Sequence, residues 1–364
     1  HRPVIAHAVM VTVGAIMVIV AVADLVNTLV TTSSSRSSHV NMWPSRIVAR
    51  HAFLGLRSIV ARIGEHRPAR ERLLATFGPL LLLILLTMWV TLQVVGFGLI
   101  WAGMRGIKGT TSVFGHVYYS GVSFFTIGFG DVVPTDVLPR AGVLVEGLLG
   151  VVTTALVIAY LPMLYAAYAT RERPLSTLDD GSAGPVTPNS LLFAWSPDAN
   201  PQLIDAKFAD WESWAVDIAA SHGASPMLRF FRSYDRQHNW LTALKLLTEA
   251  AMRAQLIVGA SNGSSFWFLR RADMIYQLMA HGTDLDPWTE AVRPTGEQHE
   301  HDVRQMYDQL SAHGFELVPF EVALTEVANI RNMYRPTMAY LDHWLLCPDE
   351  FWPPQTVIQR VPPA

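Results

Sequence analysis

The segment 117–131 reads Val-Tyr-Tyr-Ser-Gly-Val-Ser-Phe-Phe-Thr-Ile-Gly-Phe-Gly-Asp and carries the most specific chemistry in the chain. Gly128 and Gly130 alternate with larger residues, and glycine admits backbone conformations in which successive carbonyls point the same way. Thr126 adds a hydroxyl at one end of the run. Several such strands around one axis would present stacked rings of oxygen able to replace an ion's water. The negative ends of the carbonyl dipoles point inward, so the ion is a cation. A plain glycine-containing turn between two membrane helices is the alternative, and it needs neither the threonine nor the alternation. Nearby, Glu146 is the only ionisable residue in its apolar run, and an intramembrane acid is a functional candidate by default. Its spacing favours a brace for the preceding short helix over an ion site.

Irregular backbone at membrane depth is tolerated only where protein buries it or water reaches it, so these residues require membrane helices around them. The composition supplies them: 51% of the 364 residues are hydrophobic and 16% are charged, against about a quarter charged in soluble domains. Cys347 is the single cysteine, which excludes an intrachain disulfide. Residues 3–23 and 73–104 contain no Asp, Glu, Lys or Arg, and 141–170 contains only Glu146. About 20 residues span the hydrocarbon core as a helix, and all three runs suffice. The first is too long for a cleavable signal peptide, and a chain beginning at His1 implies further sequence upstream.

Arg36, Arg46, Arg50, Arg57, Arg62, Arg67, Arg70 and Arg72 face only Glu65 and Glu71 between the first two runs, which marks a cytoplasmic loop. Arg171 and Arg173 place the end of the third run on the same side. An even number of crossings therefore separates them, and the uncharged stretch 109–130 must dip in and leave by the side it entered. The N-terminus is then outside and the C-terminal part cytoplasmic. Within the basic loop, 47–63 is amphipathic enough to lie on the inner membrane surface, or else forms a solvated connecting helix.

Thr126-Ile127-Gly128-Phe129-Gly130-Asp131 resembles the selectivity-filter signature of potassium channels. The surroundings fit that family: an apolar segment at 114–125 stands where it has its pore helix, with an outer span before and an inner span after. Pro134 and Arg140 occupy positions where similar channels carry Pro and Arg, and Gly150 matches the inner-helix hinge, with Gly147 as a second candidate. The resemblance covers residues 73–170. It implies K+ as the permeant ligand at Thr126, Ile127, Gly128, Phe129 and Gly130, with no other cofactor, and a homotetramer needing three further copies of the chain. Phe129 replaces the commoner Tyr. Tyr118 and Tyr119 take the places of the aromatic collar, and Val122 stands where some bacterial channels pair a Glu with the residue corresponding to Asp131. Steps of four from Gly150 reach Thr154, Ile158 and Pro162, which would line the cavity and inner gate if they are not ordinary packing residues. The first run has no Lys or Arg, which argues against voltage sensing. Asp24 and Asn27 close that run near the cytoplasmic side, with no function assigned.

Residues 1–170 carry a net charge of +6 and residues 171–364 one of −9. Pro174, Pro185, Pro188, Pro197 and Pro201, with Asp-Asp-Gly-Ser-Ala-Gly at 179–184, read as a linker over 171–201. Beyond it, Trp240, Leu241, Leu244, Leu247 and Ala251 keep one apolar helical face, as do Val303, Met306, Tyr307 and Leu310, and Phe320, Leu324, Val327 and Ile330. Eight of the eleven tryptophans, Trp288 and Trp352 among them, fall in this half and suit a core or subunit contacts. The stretch 227–248 resembles cytoplasmic extensions of predicted bacterial channels. The run at 259–263 is no dinucleotide fingerprint, and His299-Glu300-His301-Asp302 reads as a solvated helix start.

The expected fold is an all-α membrane protein: an N-terminal transmembrane helix (1–32), a basic cytoplasmic loop (33–72), a pore domain (73–170), a linker (171–201) and a helical cytoplasmic domain (202–364). The expected function is potassium conduction across a plasma (inner) membrane, with gating or assembly influenced by the cytoplasmic domain, lipid around the pore and an unknown cytoplasmic ligand. A weakly selective cation channel and a sensor with a pore-like membrane unit are the alternatives. No catalytic constellation marks an enzyme, and the acidic half argues against nucleic acid.

Overall fold

The computed structural model describes residues 2–29, 43–63, 68–179, 181, 185–233, 239–260, 262–280 and 296–345. Arg36, Glu65, Arg67, Trp288, Cys347, Trp352 and most of the Asp-Asp-Gly-Ser-Ala-Gly run lie outside them. Among the described residues the protein is all-α apart from two short strands. The chain divides into two compact units, His1–Ala166 and Ala167–Ala364.

The first unit contains α1 (Arg2–Leu29), α2 (Pro44–Val60), α3 (Pro68–Gly103), β1 (Ile107–Lys108), α4 (Val113–Phe124), β2 (Val133–Pro134) and most of α5 (Val137–Glu172). Among the described residues three segments, Val4–Leu29, Ala69–Gly103 and Val137–Thr177, are long and apolar enough to cross a membrane. This is a multi-pass membrane protein. Val4, Ile5, Val9, Val13, Ile16 and Ile19 leave one side of α1 exposed, suited to lipid.

Lipid supplies no hydrophobic drive between helices, so α1 and α3 rely on close approach at small residues. A methyl group on Gly96 would come within 2.9 Å of the Gly14 carbonyl oxygen, and one on Gly103 within 2.6 Å of the His7 carbonyl oxygen. Gly96 and Gly103 are seven residues apart on one helical face, and the pairings run in opposite directions, so the helices are antiparallel.

Asp24, which is fully buried, fixes the register. Its carboxylate accepts the Trp89 indole N–H of α3 at 2.8 Å, the Ser45 backbone N–H at 3.0 Å and the Ser45 hydroxyl at 2.6 Å. It thus caps the start of α2 from another helix. From there α2 runs back along α3, with the Phe53 and Phe77 rings 5.4 Å apart. Phe53 and Val60 are buried, so protein occupies part of the stripe read from sequence as membrane-facing.

The second unit begins with the last turn of α5 and a 3-10 turn (Arg173–Thr177), followed by α6 (Pro188–Trp195), α7 (Pro201–Ala224), a second 3-10 turn (Pro226–Phe230), α8 (Trp240–Ala254), α9 (Ser264–Ala280), α10 (Gly296–His313) and α11 (Phe320–Leu345). The segment 171–201 differs from the expected linker: Leu175, Leu178, Val186, Leu191 and Leu192 belong to the core. The prolines misled because Pro188 and Pro201 open helices, where a missing N–H costs nothing. Thr187 and Ser190 complete a reciprocal cap at the start of α6. The single apolar face expected for α8 is likewise an underestimate. Ala243, Leu246 and Ala250 on its other sides are also buried, making it the central helix of the unit.

Candidate functional site

The short helix α4 sits between α3 and α5. Ser112 caps its start by accepting the Gly115 N–H at 3.0 Å. On the α3 side, Gly98 is so close that a methyl group would lie 2.7 Å from the Val117 Cα. On the α5 side, Gly150 packs directly under the Phe124 carbonyl at the end of α4, with the Phe124 carbonyl carbon 3.0 Å from where a methyl would be. Glu146, fully buried one turn earlier on α5, accepts the Trp101 indole N–H of α3 at 2.8 Å and the Ser120 hydroxyl of α4. One carboxylate therefore joins three helices around the start of the irregular segment. Neither Trp101 nor Ser120 was singled out from sequence; both stand on apolar helices where a lone donor gives no periodic signal.

The chain leaves α4 through a wound turn, with the Thr126 N–H on the Ser123 carbonyl at 3.0 Å and the Ile127 N–H on the Val122 carbonyl at 2.8 Å. From there φ is positive at every second residue: 56° at Thr126, 66° at Gly128 and 78° at Gly130. An ordinary strand sends successive carbonyls to opposite sides. Reversing the sign of φ at alternate residues instead turns them toward one side. Two of the three positions are glycine, which adopts this conformation without strain, and Thr126 bears the cost of an L-residue there. A methyl on Gly128 or Gly130 would meet nothing within 4 Å, and Ile127 and Phe129 are 53% and 69% exposed. One side of this segment is open.

Beyond the segment, the Tyr118 hydroxyl lies near the Asp131 carboxylate. Tyr119 is buried with its ring 6.4 Å from Trp101, and its hydroxyl has no partner among the described residues. The returning chain is tied down by β1 and β2, which pair Ile107 with Pro134 and Lys108 with Val133. Gly109 lies against the Asp131 carbonyl, and the Arg140 side chain donates to the Pro134 carbonyl at 3.2 Å. Farther along α5, Gly150 is buried, whereas Thr154, Ile158 and Pro162 are exposed on the single subunit. The Thr154 hydroxyl donates to its own helix at the Gly150 carbonyl, 2.9 Å away. Its buried neighbour Thr153 reaches Gln93 of α3 at 3.3 Å.

Residues 81–166 match a family model described as "Ion channel". This stretch is an ion-channel domain. It takes in α3 from Leu81, α4, the irregular segment and α5 as far as the end of the first unit. The family is not one of enzymes, and ion-channel domains generally oligomerise. The chain is also similar to an uncharacterized membrane protein of Bacillus subtilis (strain 168), YdjJ, with 28% identity over 194 residues. That alignment covers 51% of this chain and 54% of the relative, so the chain spans about half the length of the curated relative it matches. No solved structure matches.

Helix α5 continues without a break to Glu172. In the second unit, the Arg171 guanidinium at its end is 1% exposed. It donates to the carbonyls of Leu228 at 3.1 Å and Phe231 at 2.7 Å, and pairs with Glu172 at 2.8 Å. Its charged carbon lies 5.1 Å from the Trp240 ring centre. His222 approaches from α7. Its Nδ1–H donates to the Ile218 carbonyl at 3.0 Å, so Nε2 faces Arg171 at 3.4 Å as an acceptor. Burial, and then the charge of Arg171, hold His222 well below the usual histidine range, with Arg229 adding to the effect.

Proposed function

We propose that four copies of this chain form a potassium-selective channel, in which Thr126, Ile127, Gly128, Phe129 and Gly130 line the conduction path. The observation that carries this reading is the alternation of φ at Thr126, Gly128 and Gly130 on a segment one side of which is open in the single subunit. Four such segments facing one axis place rings of carbonyl oxygen around it and replace the hydration shell of K+. Tyr118 and Asp131 steady the outer end, and Glu146 steadies the pore helix behind it. Thr154, Ile158 and Pro162 line the cavity and inner gate. The N-terminus is outside in a plasma (inner) membrane, and the second unit is cytoplasmic. Because Arg171, in the last turn of α5, is buried within that unit, the cytoplasmic domain biases the inner helices through their ends.

A weakly selective cation channel is the second reading, and Phe129 favours it: without a hydroxyl the filter loses a bond that would hold its width. The test is cation flux from liposomes containing the purified protein under opposed potassium and sodium gradients, with barium as blocker and Gly128→Asp as control. Barium-sensitive potassium flux, abolished by the substitution, is the expected result. Equal potassium and sodium flux would select the second reading. No flux in any condition, with the cytoplasmic domain removed as well, would overturn both.

A further inference from the structure

Within the second unit, Glu249 of α8 is 5% exposed and receives four donors. Its Oε2 accepts Arg253 at 2.7 Å and Arg331 at 3.4 Å; its Oε1 accepts the Tyr334 hydroxyl at 2.6 Å and Arg335 at 3.3 Å. A carboxylate offers about four lone-pair directions, and here all are taken. Among the described residues three guanidinium groups surround this one carboxylate, a surplus of two positive charges. The surplus is also visible as unmet donors: Nε and Nη1 of Arg331 and Nε of Arg253 are buried without a hydrogen-bond partner among the described residues. Arg331 is 7% exposed, so these N–H groups lack the water that would otherwise serve them. The Arg335 side chain, 36% exposed, shows where the cluster opens to solvent.

We propose that Arg253, Arg331 and Arg335 form a binding site for a phosphate-type oxyanion. Phosphate fits on three counts. It carries up to two negative charges near neutral pH, which matches the surplus. It presents several acceptor oxygens to the unmet N–H groups, and its geometry suits guanidinium forks. A single carboxylate ligand would leave one charge uncompensated. Glu249 serves to hold the three arginines in place while the site is empty. The ligand is either a soluble phosphate compound or the phosphate of a lipid headgroup, and both present the same chemistry to the cluster.

The full-length protein in detergent is titrated with inorganic phosphate by calorimetry and thermal melting, against chloride at equal ionic strength. Vesicles of phosphatidylcholine with and without phosphatidic acid form the second arm. Arg335→Gln, at the open edge, preserves the fold and should weaken binding by about tenfold or more. Glu249→Gln keeps all three arginines and increases the surplus charge, so phosphate should stabilise that variant more than the wild type. Saturable phosphate binding that follows this order supports the site with a soluble ligand. Binding to phosphatidic acid vesicles alone, lost in Arg335→Gln, supports it with a lipid source. Absence of both, or binding indifferent to Arg335→Gln, overturns the proposal. Neither readout uses ion flux, so the outcome does not depend on the channel reading.

Discussion

Gly150 and Gly147 provide a paired test of what a glycine does on the inner helix. In a helix interior, alanine is preferred to glycine by about 1 kcal/mol, because it restricts the unfolded chain more. At Gly147 a methyl would meet nothing nearer than the Ser123 carbonyl oxygen at 3.8 Å, an ordinary contact. Gly147→Ala should therefore stabilise the protein by up to ~1 kcal/mol. At Gly150 the methyl would overlap the Phe124 carbonyl oxygen and lie 3.2 Å from the ring carbon Cγ. Phe124 is 2% exposed and cannot swing aside. The end of α4 has to move, and overpacking of this kind costs about 1–3 kcal/mol. After the propensity gain is set against it, Gly150→Ala should lose up to ~2 kcal/mol per subunit. The displaced carbonyl is two residues before Thr126, so conduction should fall as well.

The assay is thermal melting of the purified protein followed by size exclusion, together with barium-sensitive flux. The expected order of melting is Gly147→Ala at or above the wild type, with Gly150→Ala below both. A flexing hinge predicts otherwise: alanine at either glycine stiffens the helix, melting does not fall, and only opening changes. A Gly150→Ala protein that melts at or above the wild type and conducts normally once open would refute the packing argument.

Three further outcomes follow from the same geometry. Arg171→Met should lower the stability of the second unit by about 3–5 kcal/mol in urea denaturation followed by tryptophan fluorescence, because two buried carbonyls and Glu172 lose a charged partner. Arg171→Lys should recover only part of it, since an ammonium lacks the planar fork. Glu146→Leu should cost about 1–3 kcal/mol for each buried donor stranded, Trp101 and Ser120, read as a lower melting temperature of the membrane protein. His222 should impose an acid limit. Its folded pKa is depressed, so its contribution is complete above the unfolded value of about 6.5 and declines as pH falls below it, by at most ~1.4 kcal/mol per unit. Glu249 is also held well below its usual range, so its contribution declines only below about 4.3. Between these values His222→Gln should lessen the loss of stability on acidification.

The irregular segment after α4 was legible because its pattern is local. Alternating glycines, one threonine and an uncharged stretch between two long apolar runs are all visible along the chain, and the positive φ values fall at Thr126, Gly128 and Gly130. Contacts across helices were less legible. Spacing gave Gly150, Thr154, Ile158 and Pro162 one face, but Gly150 is covered by Phe124 while the other three are exposed. The period of a helix does not reveal where a neighbour ends. Composition misplaced the linker for a related reason: a proline that opens a helix and one that breaks a chain look alike until the residues after it are known to be buried. Glu249 was missed because a lone acid in an apolar helix gives no sign of arginines 82 and 86 residues away.

The three acids buried among the described residues use one device with different balances. Asp24 gathers Trp89 and Ser45; Glu146 gathers Trp101 and Ser120. In lipid, one apolar surface packs against another with little preference for register, and a single polar contact can select one register from many. Trp89 and Trp101, twelve residues apart on α3, each give an indole N–H to an acid on a different helix, and so pin α1 and α5 to the same template. The donors to both acids are neutral, and none carries a surplus charge. At Glu249 the donors are mainly cations and exceed what the carboxylate can accept. Register alone would have required one arginine there. The other two leave positive charge that an anion could match, so the proposed oxyanion should be sought at this acid and not at Asp24 or Glu146.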